Sequence, residues 1–125
     1  MKNDNSKLKN DIRKRAYVYA LDIIKLLDQL PKNDFTSQII ARQLLRSATS
    51  IGSNLIEAQA ASSKKDFLNY LHHSLKSANE TKFWLGLLRD SKKASKESVD
   101  CLLTETKELA NILGSSILTL KGKRW

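Results

Sequence analysis

The chain has 125 residues, 41% hydrophobic and 28% charged, which suits one folded domain and excludes a disordered one. One Pro and four Gly leave too few turns for a many-stranded fold. Lys and Arg number 22 against 13 Asp and Glu, a formal net charge of +9; this balance favours a polyanionic partner, with nucleic acid first and an anionic membrane surface second.

Residues 1–10 carry Lys2, Lys7 and Lys9 against Asp4 and are expected to be a flexible basic N-terminus. From Asp11 to Leu30, the apolar positions Ile12, Ala16, Tyr19, Ile23, Leu26 and Leu30 alternate steps of four and three, the mark of a helix with one buried face. Pro31 ends it, because proline has no N–H to donate to the helical ladder. A second helix is expected from Thr36, as N-cap, to Ala60, with the stripe Ile40, Leu44, Ala48, Ile51, Leu55 and Ala58. A third should run from Ser62 or Ser63 to Arg89 on Phe67, Leu71, Leu75, Ala78, Leu85 and Leu88, with Lys82 near a gap in the stripe. After the break at Ser91–Ser95, a fourth runs from Lys96 to Leu120 on Val99, Leu102, Thr106, Leu109, Leu113 and Ile117.

No segment alternates with period two, and the breaks are short, so consecutive helices should be antiparallel neighbours. The expected architecture is all-α: an up-down-up-down antiparallel four-helix bundle spanning residues 11–121, with a short basic tail at 122–125. Rods of this shape have much side surface, and homo-oligomers are common among them.

The chain offers little for catalysis. His72 and His73 are adjacent, so they point about 100° apart and cannot easily share a metal ion, and no HxxxH, HExxH or CxxC motif is present. No serine sits in a nucleophile motif, and Gly52, Gly86 and Gly114 stand alone inside helices, where they would allow close helix packing instead of forming a phosphate loop. Glu57 and Glu80 could form a carboxylate pair if their levels meet. The favoured reading makes them, with Ser50 and Asn54, structural or subunit-contact groups bonded to one another or to Arg46. No cofactor, metal, small-molecule substrate or enzymatic activity is expected. Cys101 is read as lying on an apolar helical stripe and is expected to be a buried small hydrophobe in a cytoplasmic protein. The N-terminal residues lack the apolar segment of a secretory signal, and the uncharged run near the C-terminus is too short to span a bilayer, so no membrane role is expected.

The basic residues carry the sharper idea. Arg42 and Arg46 share a face of the second helix. In an up-down bundle, the start of the first helix, the second break and the end of the fourth helix share one pole. That pole would gather Arg13, Lys14, Arg15, Lys64, Lys65, Lys121, Lys123 and Arg124, offset by Asp11 and Asp66, into a phosphate-contacting surface. Lys92 and Lys93 lie in the last break, at the other end.

The runs QLLRSATSIGSNLIEAQ (43–59), KKDFLNYL (64–71) and LKSANETKFWLGLL (75–88) resemble the small bacterial four-helix-bundle proteins encoded in intervening sequences of 23S ribosomal RNA genes, and ELANILGSSILTLK (108–121) extends the likeness. The resemblance implies a homopentamer with a central opening and an association with RNA or the ribosome. The accessory variability protein of diversity-generating retroelements is similar in architecture and charge, which implies nucleic-acid binding beside a reverse transcriptase. Arg46, Ser50, Asn54, Glu57 and Glu80 are the family-pattern positions. The combined expectation is a homo-oligomeric, non-enzymatic binder of RNA or DNA backbone; the alternatives are an adaptor of a reverse transcriptase and a purely protein-interaction module.

Overall fold

The computed structural model describes the backbone over residues 4–122 and the side chains over residues 12–122. It comprises four helices: α1 (Asp4–Asp28), α2 (Phe35–Gln59), α3 (Lys64–Asp90) and α4 (Lys96–Lys121). Each is roughly 40 Å long at 1.5 Å per residue. They pack α1 on α2, α2 on α3, α3 on α4 and α4 on α1, with the α2–α3 seam the most extensive and the α1–α4 seam the slightest. The described residues thus form an antiparallel four-helix bundle.

The apolar stripes become the core. Every expected stripe residue of the first, second and fourth helices is buried, with Ile23, Leu44, Ala48, Ile51, Val99 and Leu109 fully so. In α3 two stripe residues, Phe67 and Leu75, are only half-buried and pack against the rim of the core. Thr81 and Ser74 complete that face instead, both fully buried. Two buried hydroxyls sit between α1 and α4: the Thr106 hydroxyl donates to the Leu102 carbonyl at 2.7 Å, so the Tyr19 hydroxyl must donate to Thr106. Burial holds the Tyr19 phenol well above its usual pKa.

The ends of the helices differ from the sequence expectation in definite ways. The helical backbone of α1 begins at Asp4, within residues expected to be a flexible terminus, because no Pro or Gly stands between there and the stripe. The N-cap of α2 is Asp34, not Thr36: its carboxylate accepts from the Ser37 N–H at 3.1 Å and from the buried Ser37 hydroxyl. Ser63 caps α3 by accepting from the Asp66 N–H at 3.1 Å, and Ser95 caps α4 by accepting from Ser98. Cys101 is exposed, not buried. It precedes the core residue Leu102, and one helical step turns it about 100° from the core. Of the helical glycines only Gly52 faces a neighbour closely: a Cβ there would lie 3.5 Å from the Ala16 Cβ, which marks the α1–α2 crossing. Gly86 and Gly114 face open space, so close packing within the chain does not explain them.

The turn after α3 stores strain. Lys92 sits at φ 62°, while the N–H groups of Lys93 and Ala94 both return to the Leu88 carbonyl at 2.9 and 3.1 Å. This left-handed position closes the helix and normally takes glycine. Lys92→Gly should therefore raise stability by about 0.5–1 kcal/mol in chemical denaturation, the relief of strain outweighing the added freedom of the unfolded chain; a loss would mean that the lysine side chain contributes more than its backbone costs.

Asp34 also ties the ends together, since Lys93 reaches its Oδ2 at 3.0 Å. Hydrogen bonds from Ser37 and Lys93 lower its pKa from 3.8 to about 2. A folded-state pKa below the unfolded value contributes stability that is complete above the unfolded value and is lost as pH falls through the folded one. The melting-temperature gap between the wild type and Asp34→Asn should therefore close between about pH 4 and pH 2. A gap that stays constant over that window would show that the carboxylate charge does not matter.

Candidate functional site: a basic pole and a polar groove

The two ends of the bundle have different electrostatics. The Lys93–Asp34 pair joins the 29–34 and 91–95 breaks at one pole. There Arg89 donates from Nη1 to Asp100 at 2.7 Å and from Nε to Asp90 at 2.9 Å, and Lys96 reaches Asp100 at 2.6 Å. The bonds that Arg89 donates to Asp90 and Asp100 push its pKa above the usual value, while those from Lys96 and Arg89 lower the Asp100 pKa. At this pole Arg89, Lys93 and Lys96 are paired with carboxylates, whereas Lys32 and Lys92 are exposed and form no ion pair among the described residues.

The opposite pole holds the N-terminus of α3 and the C-terminus of α4. Lys65 and Lys121 are exposed and form no ion pair among the described residues, and Lys64 is half-buried beside Lys65. Asp66 and Glu57, both exposed, are the nearby acids on α2 and α3. Lys123 and Arg124 lie outside the described residues, as do the side chain of Asp11 and the aromatic Trp125.

Arg13, Lys14 and Arg15 do not open α1, because that helix starts at Asp4. Ala16 faces Gly52, seven residues before α2 ends, so the trio lies roughly 10 Å down the rod from the pole. Arg15 is clamped to α4 by a bidentate pair with Glu105, Nε to Oε2 at 3.0 Å and Nη2 to Oε1 at 2.6 Å. Lys14 is exposed at the mouth of a cleft of about 540 Å³ between α1 and α4, which Val18, Cys101 and Leu102 also line. Beside it α1 exposes Tyr17, Val18, Leu21 and Ile24, an apolar stripe facing away from the core. Arg42 is exposed on α2 without an ion pair among the described residues, whereas Arg46 donates to Glu80 Oε2 at 3.3 Å and to Gln43.

The family-pattern polar residues divide. Between α2 and α3 a ladder of hydroxyls crosses the seam. Thr81 and Ser47 are 2.9 Å apart, Ser77 donates to Ser50 at 2.9 Å, and Ser74 donates to the Ile51 carbonyl at 2.8 Å. Asn54 spends both amide protons on Ser50, at 2.8 Å to its carbonyl and 2.9 Å to its hydroxyl. Glu80 accepts from Trp84 Nε1 at 2.9 Å as well as from Arg46. Glu57, by contrast, is exposed and outside this network. Arg46, which meets Glu80, is eleven residues from Glu57 on α2, roughly 16 Å along the axis, so the two carboxylates are no pair.

Above the ladder lies an open groove of about 450 Å³, walled by Ser50 and Asn54 from α2 and by Tyr70, His73, Lys76, Ser77 and Glu80 from α3. The expectation included Ser50, Asn54 and Glu80 but not Tyr70, His73 or Lys76. The signal was present: Tyr70, His73, Ser77 and Glu80 recur at steps of three and four, one face of α3. Among the described residues no group of three or more His, Cys, Asp or Glu could hold a metal ion. No described helix is long and apolar enough to cross a membrane.

Comparison with known proteins converges on one group. A crystal structure of a protein of unknown function from the S23 ribosomal protein family of Bacteroides thetaiotaomicron VPI-5482 superposes with a TM-score of 0.82 at 34% sequence identity, covering 88% of this chain and 97% of that one. No curated protein matches the chain. The family described as 23S rRNA-intervening sequence protein matches residues 8–115. With that match over most of its length and the bundle described above, the chain belongs to the 23S rRNA-intervening sequence protein family.

Proposed function

We propose that the protein is a non-enzymatic, homo-oligomeric binder of RNA or DNA backbone, ribosomal RNA being the favoured partner. The observation that carries this reading is the unequal treatment of charge at the two poles. One end couples Arg89, Lys93 and Lys96 to Asp34, Asp90 and Asp100 and has Asp28 and Glu97 as further acids against its unpaired Lys32 and Lys92, while the other leaves Lys65 and Lys121 without carboxylate partners among the described residues. A cation whose charge is already spent on an acid releases few counterions when a phosphate arrives, whereas an unspent one gives the full electrostatic gain. The family's description, which refers to 23S rRNA, points to the same class of partner.

Self-association is the second element of the proposal. Tyr17, Val18, Leu21 and Ile24 form one exposed apolar stripe on α1, and Phe83 and Leu87 a smaller one on α3. Contiguous exposed apolar surface marks association sites. A ring of five copies would multiply one small basic pole into a multivalent surface, raising weak affinity per subunit by avidity. The rival roles, an adaptor for a reverse transcriptase and a protein-interaction module, would draw on the same apolar faces.

Arg13, Lys14, Lys64 and Lys65 changed together to Glu should abolish RNA binding in a filter or anisotropy assay. Wild-type affinity should fall roughly a hundredfold between about 50 and 200 mM salt. Salt-insensitive binding, or a fourfold variant that binds normally, would refute the electrostatic account. Light scattering after size-exclusion chromatography should give a mass several times that of one chain, and Leu21→Glu with Ile24→Glu should lower it. A monomer at all concentrations would remove the oligomer from the proposal, and a tight protein partner with no bound nucleic acid would favour the rival roles.

A further inference from the structure

We propose that the α2–α3 groove receives a single nucleotide whose base carries an exocyclic amino group. Lys76 and His73 would meet its phosphate and Glu80 its amine. The inference rests on the nucleic-acid reading above and adds to it a site that discriminates between bases.

The argument starts from which polar atoms the fold has already used. Glu80 Oε2 takes both the Arg46 and Trp84 bonds, and Oε1 accepts none among the described residues. The carboxylate is therefore held in place from one side and offers a fixed acceptor on the other. Asn54 gives both amide protons to Ser50, which leaves its Oδ1 as an acceptor. Ser50 Oγ accepts from Asn54 and Ser77, so its own proton is not needed for either bond. Lys76 forms no ion pair among the described residues and is exposed, as is His73 one turn earlier. The groove thus presents cationic or neutral donors in its middle and a bare carboxylate oxygen at one end.

That sequence of groups matches one chemical class. A phosphate requires Lys76 and is unsuited to the Glu80 end. A carboxylate acceptor of fixed position reads an amino group, as Glu and Asp do with cytosine N4. Uracil has no exocyclic amine, and its ring N–H is flanked by two carbonyl oxygens that a carboxylate repels. Residues 73, 76, 77 and 80 lie on one face of α3 and span roughly 10 Å, which separates phosphate from base edge without crowding. The groove is open and shallow, so it would hold one edge of a nucleotide and leave the rest in solvent. Tyr70 closes the other end of the groove with an aromatic ring.

The nucleotide could be free or part of a bound strand, and the test separates these sources. The full chain is titrated with CMP, AMP and UMP while amide shifts are followed by NMR, and its affinity for short single-stranded poly(C), poly(A) and poly(U) is measured. CMP and AMP should shift amides at residues 50–54 and 73–80, with UMP at least several-fold weaker, and poly(C) should outbind poly(U). Lys76→Glu should weaken CMP binding about tenfold, and Glu80→Gln should reduce the preference for C over U; both positions are solvent-exposed enough for the fold to tolerate the change, which circular dichroism verifies. Equal affinity for all polymers without shifts in the groove would overturn this inference and leave the backbone reading standing. Nucleotide binding in the groove without polymer binding would support the site with a free nucleotide as occupant and overturn the backbone reading. Absence of both would overturn both.

Discussion

The α2–α3 seam is the constraint on which the rest depends. Five hydroxyl residues, Ser47, Ser50, Ser74, Ser77 and Thr81, meet across it, and each finds a partner in the facing helix. Small side chains let two helices approach closely, but a buried hydroxyl without a partner costs about 1–3 kcal/mol. Close approach and full pairing are thus only possible together, in one register. No buried side-chain polar atom among the described residues lacks a partner. The seam therefore selects one alignment where an apolar stripe alone would tolerate sliding, and it floors the polar groove above it.

With that pair fixed, α1 and α4 complete the bundle by a lighter contact. Their seam relies on buried Tyr19 and Thr106 and on the Arg15–Glu105 clamp, whose partners are each about a third exposed. Exposed ion pairs contribute little stability, so most of the hold comes from Tyr19, Ile23, Leu109 and their neighbours. The slight α1–α4 contact leaves a cleft and an outward apolar stripe on α1, the surface on which an assembly would be built. The poles differ in how charge is used: the end closed by Asp34, Arg89 and Asp100 spends Arg89, Lys93 and Lys96 on carboxylates, whereas at the other end Lys65 and Lys121 have no carboxylate partner among the described residues.

Much of this was legible in the sequence because helix periodicity and burial are the same signal. Ile12, Ala16 and Tyr19, or Val99, Leu102 and Thr106, recur at steps that keep one face turned inward, and the core follows. Helix ends were less legible. Asp34 displaces Thr36 as cap because its carboxylate reaches Ser37, a matter of side-chain geometry that spacing cannot give. Cys101 went astray because it sits one residue from a core position, where a single step turns a side chain to solvent. The left-handed turn at Lys92 carries no glycine to announce it. The groove was half visible. Ser50, Asn54 and Glu80 stood out as polar groups beside an apolar stripe, but Lys76 and His73 read as ordinary surface until α2 was laid against α3.

The central claim is that one pole, and not the other, meets the polyanion. Amide hydrogen exchange of the full chain with and without a structured fragment of ribosomal RNA addresses it directly, because every described segment reports separately. The account predicts slower exchange at residues 60–68 and 116–122 with no change at 29–36 or 91–98. Protection confined to the Asp34–Arg89–Asp100 end, or no protection anywhere at saturating RNA, would contradict it.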